Sequence, residues 1–383
     1  EDFDEPRTKL ADFFSILLRA RLGMADTVAE QIAALKDEDW AIREEAATIL
    51  GTLRDPRAVA PLVSVLRDDD RAVRDAAIGA LLAIGEPAVT PLGACLSDPV
   101  LTVQELASSV LATIADARVL APLMAALKSP DWIVRMHAAK ALGRIQDPGA
   151  VASLVPLLQD KVKAVREETS ITLAAIGEAA LSSLLAALTH AEWLVRLHAV
   201  EALGKTRSPE AVDPLLSVLF NDPDRAVRED AVRALGQIGD ARAVEFLVTV
   251  MKEPGLRPLA VEALGRIGDR RTVPVLIDVL KGMERPEISQ PIDGCGDQWD
   301  EERLTLGEAV RALGAIRDEA AIPSLMKALR YTVTRAEAAD ALTRFGSAAI
   351  APLLAVLARE SDDNIRYHVK DTLAKVGWRA GRI

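Results

Sequence analysis

The sequence has few aromatic residues and almost no cysteine. Phe, Trp and Tyr make up 3% of its 383 residues, and there are two cysteines. So few aromatics argue against a β-sandwich or barrel, and two cysteines cannot form a disulfide framework. Charged residues interrupt every Leu/Ala stretch, so none reaches the roughly 18 apolar residues that a membrane-spanning helix needs. These absences argue against a disulfide-rich module and against an integral membrane protein.

Alanine and leucine are abundant, and they recur in a repeated pattern. Hydrophobic residues make up 50% of the chain, enough to bury a large core, which predicts an all-α soluble protein, cytoplasmic by default. Most repeats are 30 to 32 residues long, and we count about eleven between residues 26 and 378. The clearest mark of the pattern is an arginine, which stands at Arg43, Arg74, Arg135, Arg166, Arg196, Arg228, Arg257, Arg335 and Arg366.

Each repeat is predicted to form two helices. Proline recurs in the first turn of the first helix, as at Pro61 and Pro122, where a missing N–H costs little. The second helix begins after an acid such as Asp131 and ends near a glycine such as Gly143. One such pair cannot cover its own apolar face, so neighbouring pairs must stack into an α-solenoid.

The segment from Val227 to Asp240 contains Val-Arg, Ala-Leu-Gly and Ile-Gly-Asp, and it resembles the HEAT-like repeats named after phycobilisome lyases. The resemblance covers nearly the whole chain and implies a right-handed solenoid. Such repeats occur in bilin lyases, phycobilisome-degradation factors, an iron-dependent deoxyhypusine hydroxylase and bacterial scaffolds, so the fold alone does not choose a function. The hydroxylase uses adjacent His-Glu pairs as metal ligands. Here Met136 and Leu197 precede the corresponding histidines, so we expect no metal and no cofactor.

The predicted organisation has three parts. Residues 1–25 form a capping helix, in which apolar residues recur at steps of three and four; a membrane-surface helix is the alternative. Residues 26–378 form the repeats, and residues 379–383 form a basic tail. Because the chain begins at Glu1 rather than Met, a removed targeting segment remains open.

Two repeats combine an aromatic, an apolar residue and a histidine on the second helix. We number this helix from the valine of the Val-Arg pair, which is position 0. Positions 2, 3, 6 and 10 are then predicted to be exposed. Exposed Trp and Met are typical of interaction hot spots, although packing at the helix entrance would give the same pattern. The candidate partner-binding residues, predicted to lie on the concave side, are Trp132, Met136, His137, Lys140, Trp193, Leu197, His198 and Glu201.

The repeat pattern is interrupted in the ninth repeat. Residues 283–303 are predicted to be an inserted loop, and the eighth repeat before it is shortened. The loop's candidate partner contacts are Ile292, Cys295 and Trp299. Nearby carboxylates disfavour the thiolate of Cys295, which argues against a nucleophile, while a passive loop is the other alternative.

Charge bears on the partner. The repeated arginine is predicted to pair between repeats with a loop acid such as Asp70, Asp131, Asp224 or Asp363, which leaves no basic stripe for nucleic acid. Residues 1–128 contain 13 basic and 21 acidic residues, a net charge of -8, so this third of the chain favours a partner with a basic surface.

No Ser-His-Asp set, phosphate loop or zinc-type cysteine spacing is present in the sequence. The sequence therefore predicts a non-catalytic protein–protein interaction scaffold. The alternative is a bilin lyase-like protein that binds or transfers a chromophore, with Lys140 or Arg144 near the propionates of the bilin.

Overall fold

The computed structural model describes residues 27–114, 116–284 and 296–378, which hold 22 α-helices and no strand. The all-α prediction is thus confirmed for this part of the chain. Contacts divide the chain into two compact units, Glu1–Ala180 and Leu181–Ile383. The predicted capping helix of residues 1–25 and the tail of residues 379–383 lie outside the described residues.

In the first unit, short first helices alternate with longer second helices. The helices are α1 (Thr27–Ala34), α2 (Trp40–Leu53), α3 (Val59–Val65), α4 (Arg71–Ile84), α5 (Val89–Cys95), α6 (Leu101–Ile114), α7 (Leu120–Ala126), α8 (Trp132–Ile145), α9 (Val151–Leu154) and α10 (Lys163–Ile176).

The second unit continues the alternation, and its first residue, Leu181, lies within helix α11. The helices are α11 (Glu178–Ala187), α12 (Trp193–Thr206), α13 (Val212–Asn221), α14 (Arg225–Ile238), α15 (Val244–Val250), α16 (Arg257–Ile267), α17 (Val273–Leu280), α18 (Gly296–Ile316), α19 (Ile322–Ala328), α20 (Arg335–Thr343), α21 (Ile350–Leu357) and α22 (Asp363–Lys375). The number of repeats stays a prediction.

Local side-chain chemistry fixes where the helices begin. The Asp131 carboxylate accepts a hydrogen bond from the backbone N–H of Ile133, at 2.7 Å, and so caps α8. Asp70 and Asp224 cap α4 and α14 in the same way. Pro61 and Pro122 each occupy the third position of a first helix, where an N–H has no partner within the helix.

The core is formed by the inward residues of both helices of each pair. Position 0 of the second helix is 0% exposed at Val73, Val134 and Val227. The exception is Ile42 of the first described pair, which is 42% exposed. Cys95 is buried, as its position in the repeat predicted, and burial raises the pKa of its thiol.

The glycines near the ends of the second helices have a different role from the predicted one. Gly236 lies inside α14, two residues before its end, and a Cβ there would lie 2.8 Å from the Cα of Ala263 on α16. Because Gly236 has no side chain, the second helices α14 and α16 can approach closely at this point. The glycine therefore serves helix packing and does not form a terminal turn. The same contact joins Gly51 to Ala80, Gly143 to Thr172, Gly204 to Ala234, Gly265 to Ala312 and Gly314 to Ala341.

In some repeats the repeated arginine links neighbouring repeats, as predicted, but through a different acid, whereas Arg74 and Arg228 donate to carbonyls of their own loops. Arg196 donates to both carboxylate oxygens of Asp222, at 2.7 and 2.9 Å, and both side chains are buried. Its Nη1 also donates to the carbonyls of His190 and Ala191 in its own loop. The predicted partners such as Asp224 cap helices instead, because they lie directly before the second helix. We call this arrangement an arginine rung; Arg43–Asp68 and Arg135–Asp160 are the equivalent pairs of the first unit.

Candidate functional site

The predicted patch of the first unit lies along α8. Trp132 is 40% exposed and Lys140 is exposed, whereas Met136 and His137 are half-buried. The Nδ1 of His137 lies 3.4 Å from the hydroxyl of Ser108 on α6. Burial, helped by the charge of Lys140, lowers the pKa of His137, so this imidazole is neutral at pH 7. The patch therefore presents an indole and an ammonium group, with the imidazole turned towards the neighbouring helix.

The patch of the second unit, on α12, differs from the prediction. Trp193 is 41% exposed and Leu197 is half-buried, but His198 is buried, with 5% of its surface exposed. Position 3 was expected to face solvent because a single helix was considered. In a stack, position 3 lies on the flank that faces another second helix, so the predicted exposure of His198 is wrong.

His198 belongs to an ionic network instead. Its Nδ1 lies 3.0 Å from Glu201 Oε2, and Lys205 donates to Glu201 Oε1 at 2.6 Å. Burial raises the pKa of Glu201, but the hydrogen bonds from His198 and Lys205 outweigh it and lower the value to about 2. Glu201 is thus held as a carboxylate at every physiological pH.

Asp230 on the next second helix, α14, has its pKa shifted in the opposite direction, upwards. Burial raises its pKa, and the nearby Glu201 carboxylate raises it further, although Arg233 opposes both effects. Two acids on adjacent helices therefore have pKa values shifted in opposite directions. Such a pair suits general acid–base chemistry, but it lies on a helical surface where each acid already has a basic partner.

Two exposed apolar features were not among the predicted site residues. Leu101 begins α6 and is 48% exposed, at the same position as Trp40, which begins α2 and is 49% exposed. A comparison of position -2 in every repeat would have found Leu101. Phe220 and Phe246 form an exposed edge-to-face pair with ring centroids 6.1 Å apart. They occupy different positions in their helices, so the repeat pattern carries no signal for them.

The predicted loop is partly helical. Residues 296–303 form the first turns of α18, whereas Ile292 and Cys295 lie outside the described residues and the side chain of Trp299 is not described. Glu301 accepts from the backbone N–H of Gly255 at 2.6 Å, and Glu302 pairs with Arg257 at 2.6 Å. Gly255 and Arg257 belong to the shortened eighth repeat. The extra helical turns of the ninth repeat therefore supply Arg257 with the acid that the loop of the following repeat supplies in Arg196–Asp222.

A cavity of about 520 Å³ lies beside these acids. Charged and apolar groups both line it, including Lys252, Arg257, Val275, Asp278 and Glu302. The described residues contain no group of three or more His, Cys, Asp or Glu side chains placed to hold a metal ion. In the same part of the chain, no single helix has the length and apolar composition of a membrane span. One sharply bent pair, Arg71–Ile84 with Glu86–Cys95, passes that test by length and composition alone.

Comparison with known proteins matches the repeats to two families. HEAT repeats match residues 28–112, 89–174, 181–257 and 212–290, and the PBS lyase HEAT-like repeat matches residues 306–331. The chain is 38% identical over 64 residues to the bilin biosynthesis protein PecE of Mastigocladus laminosus. It is 37% identical over 79 residues to deoxyhypusine hydroxylase-B of Oryza sativa subsp. japonica.

These curated similarities are short. They cover 17% and 20% of this chain, and 24% and 26% of the two relatives, so the chain spans about a quarter of their length. Among solved structures, yeast importin-beta (Kap95p) is similar over 92% of this chain and 57% of its own, with a TM-score of 0.60 and 14% identity. That likeness shows an α-solenoid fold. Because HEAT repeats match more than half of the sequence, the chain belongs to the HEAT repeat family.

Proposed function

We propose that this chain is a non-catalytic scaffold that binds other proteins through the second helices of its repeats. The observation that carries the proposal is the set of exposed tryptophans at one helical position, Trp40, Trp132 and Trp193, each 40 to 49% exposed. Large aromatic residues at the surface cost free energy in water and are typical centres of protein interfaces. The HEAT family and the karyopherin-like fold support the same function.

We further propose that the partner of the first unit has a basic surface. Residues 1–128 carry a net charge of -8. Opposite charge on the partner would speed association and orient it, with an effect that salt weakens.

The experiment replaces these tryptophans in separate variants, Trp132→Ala for the first unit and Trp193→Ala for the second. Each variant is cross-linked in an extract of the source organism, and the cross-linked peptides are identified by mass spectrometry. We expect partner cross-links near the substituted residue to disappear while circular dichroism stays unchanged. Phe220→Ala, an exposed aromatic on a first helix, is the matched control. Partners that are retained by both tryptophan variants would contradict the proposal.

The inserted segment is tested separately. Deleting residues 285–295 retains Glu301 and Glu302 of α18, whereas a deletion that extends to residue 302 would remove their contacts with Gly255 and Arg257. We expect this deletion to remove partner cross-links if the segment is a binding loop. Unchanged cross-links would show that it is not.

Chromophore handling is the second candidate function, and the similarity to PecE favours it. A bilin added to the purified chain would then change its visible absorption, and Lys140→Ala with Arg144→Ala would reduce the change. No change at saturating bilin would reject this function and leave the scaffold proposal unaffected.

A further inference from the structure

We propose that the first unit bends at a joint built into its fold, between the helix pair α3–α4 and the helix pair α5–α6. We call this connection the Gly85 joint, because Gly85 follows α4 and begins the link to α5. Three features that join neighbouring pairs elsewhere in this unit change together there. They are the close contact between second helices, the connector and the arginine rung. The inference does not depend on the proposed scaffold function.

The second helices on the two sides of the Gly85 joint lie apart. α4 and α6 make few contacts with each other, although α2 packs closely on α4 and α8 packs closely on α6. Between α2 and α4, the glycine at position 9 of one helix, Gly51, lies against position 7 of the next, Ala80. In the Gly85 joint the same two positions hold Leu82 and Val110. Two branched side chains need more room than a glycine and an alanine, so they keep α4 and α6 apart.

The connector of the Gly85 joint is shorter than the one before it. Residues 85–88 link α4 to α5, whereas residues 54–58 link α2 to α3, so the Gly85 joint has four connecting residues instead of five. In the longer connector Asp55 accepts from the backbone N–H of Arg57 at 2.8 Å, whereas the turn after Gly85 has no side-chain cap. Gly85 has φ 74° and ψ -122°, a conformation that residues with a Cβ rarely adopt. The connector is therefore held by fewer local contacts and turns on a glycine.

The arginine rung is rearranged at the same place. Arg74 donates through Nη1 to carbonyls of its own loop, as the rung arginines do. The next loop offers Asp98, which accepts from the backbone N–H of Val100, two residues further on, as the rung acids do in their own loops. Asp98 nevertheless pairs with Arg67, whose side chain is 48% exposed, and not with Arg74. A pair with an exposed guanidinium stabilises less than a buried rung, because water screens it.

A cavity lies where a rung between Arg74 and Asp98 would close. Its volume is about 300 Å³, and it is lined by residues from both pairs, among them Leu66, Arg67, Arg74, Val100 and Thr102. The two pairs are therefore separated near the first turns of α4 and α6, as well as near their last turns at Leu82.

The separation gives the bend a direction. The first helices of the two pairs, α3 and α5, remain in contact, so bending opens and closes the side formed by the second helices. In a stack whose repeats touch only their neighbours, a weakly tied interface opens at a low cost in free energy. Trp40 and Trp132 lie on opposite sides of the Gly85 joint, so the bend changes the distance between them. The use of that change in selecting a partner rests on the proposed scaffold function, whereas the bend itself does not.

The test measures distances in the full chain by double electron–electron resonance between nitroxide labels. Thr48→Cys, Ser109→Cys and Ile171→Cys place labels at the same exposed position, position 6, of α2, α6 and α10. Labels at 48 and 109 span the Gly85 joint, whereas labels at 109 and 171 span as many second helices without it, two steps of about 8–10 Å in each case. Cys95→Ala and Cys295→Ser remove the native thiols. We expect a longer mean distance and a broader distribution across the Gly85 joint.

A double variant tests the cause of the separation. Leu82→Ala with Val110→Ala reproduces the two alanines, Ala112 and Ala141, that occupy the same positions in the contact between α6 and α8. We expect the distribution across the Gly85 joint to become shorter and narrower, because small residues let the helices approach. The distribution between labels at 109 and 171 should stay unchanged, and circular dichroism confirms that the variant is folded.

Several results would overturn the inference. Equal widths for the two label pairs would show that the Gly85 joint is as rigid as its neighbours, and this comparison does not require the double variant to fold. A longer but equally narrow distribution would show a fixed kink in place of a bend. An unchanged distribution in the folded double variant would show that Leu82 and Val110 do not hold α4 and α6 apart. None of these results bears on the cross-links that test the scaffold function.

Discussion

Two glycines in second helices, Gly236 and Gly79, provide a sharp test of the packing. The structure predicts that replacing them by alanine changes the free energy of unfolding in opposite directions. A Cβ at Gly236 would lie 2.8 Å from both the Cα and the Cβ of Ala263, closer than real Cβ atoms approach. A Cβ at Gly79 would meet nothing within 4 Å. Both glycines lie inside helices, α14 and α4, so helix propensity alone predicts that alanine stabilises both.

The expected magnitudes follow from two effects. Alanine in place of glycine in a helix interior gains about 1 kcal/mol. At Gly236 the helices must separate, and overpacking of this kind typically costs about 1–3 kcal/mol. We therefore expect Gly236→Ala to lower the free energy of unfolding, by up to about 2 kcal/mol. Gly79→Ala should raise it by about 0.5–1 kcal/mol, because only the propensity term applies.

Urea denaturation followed by far-UV circular dichroism measures both changes. Stacked repeats need not unfold in one step, so midpoints should be compared only where the denaturant slope matches that of the parent chain. Gly236→Val, which is larger still, should shift the midpoint further downwards. Stabilisation by alanine at both glycines would show that the α14–α16 contact is not tight, and the account of the glycines would fail.

Three further predictions concern charged groups. Asp222→Ala should destabilise the chain by about 3–5 kcal/mol in urea denaturation, because it leaves Arg196 buried without its carboxylate. Asp75→Ala, which breaks the exposed pair with Arg71, should lower the free energy of unfolding by less than about 1 kcal/mol. Equal losses of stability for Asp222→Ala and Asp75→Ala would show that burial of the pair does not matter. Glu201→Gln should destabilise at pH 7, with the difference lost as pH falls from about 4.5 towards 2, where Glu201 becomes protonated. A pH-independent difference would exclude ionisation as its cause. Glu302→Gln should increase proteolysis near the eighth repeat, and an unchanged digest would show that α18 does not secure it.

Sequence patterns were sufficient for the helices, because their signals are local. Pro61 in a first turn and Asp131 before a second helix act on backbone groups within a few residues. The sequence pattern also suggested a local role for glycine near the end of each second helix. At Gly236, however, the requirement for glycine comes from close contact with Ala263 of the following repeat. The spacing alone could not separate a terminal turn from a close helix contact.

The candidate site was harder to predict for the same reason. A helical wheel treats each helix alone, so it placed His198 in solvent, whereas packing of the second helices buries that flank. Trp132 and Trp193 begin their helices, beyond the packed flanks, and their predicted exposure is confirmed. For the arginine rungs, the sequence offered several acids per loop, and only the geometry distinguishes Asp222, which pairs, from Asp224, which caps.

The arginine rungs also bear on how a repeat is added to the stack. Arg196 is held by two carbonyls of its own loop, and Asp222 accepts from the backbone N–H of Asp224 in its own loop. Each half of the rung is therefore oriented by its own repeat before the two repeats meet. Docking then freezes few additional rotamers of these two side chains, so part of the entropy cost of forming the rung has already been met by local folding. Preorganised halves of this kind favour growth of the folded array one repeat at a time from any nucleus.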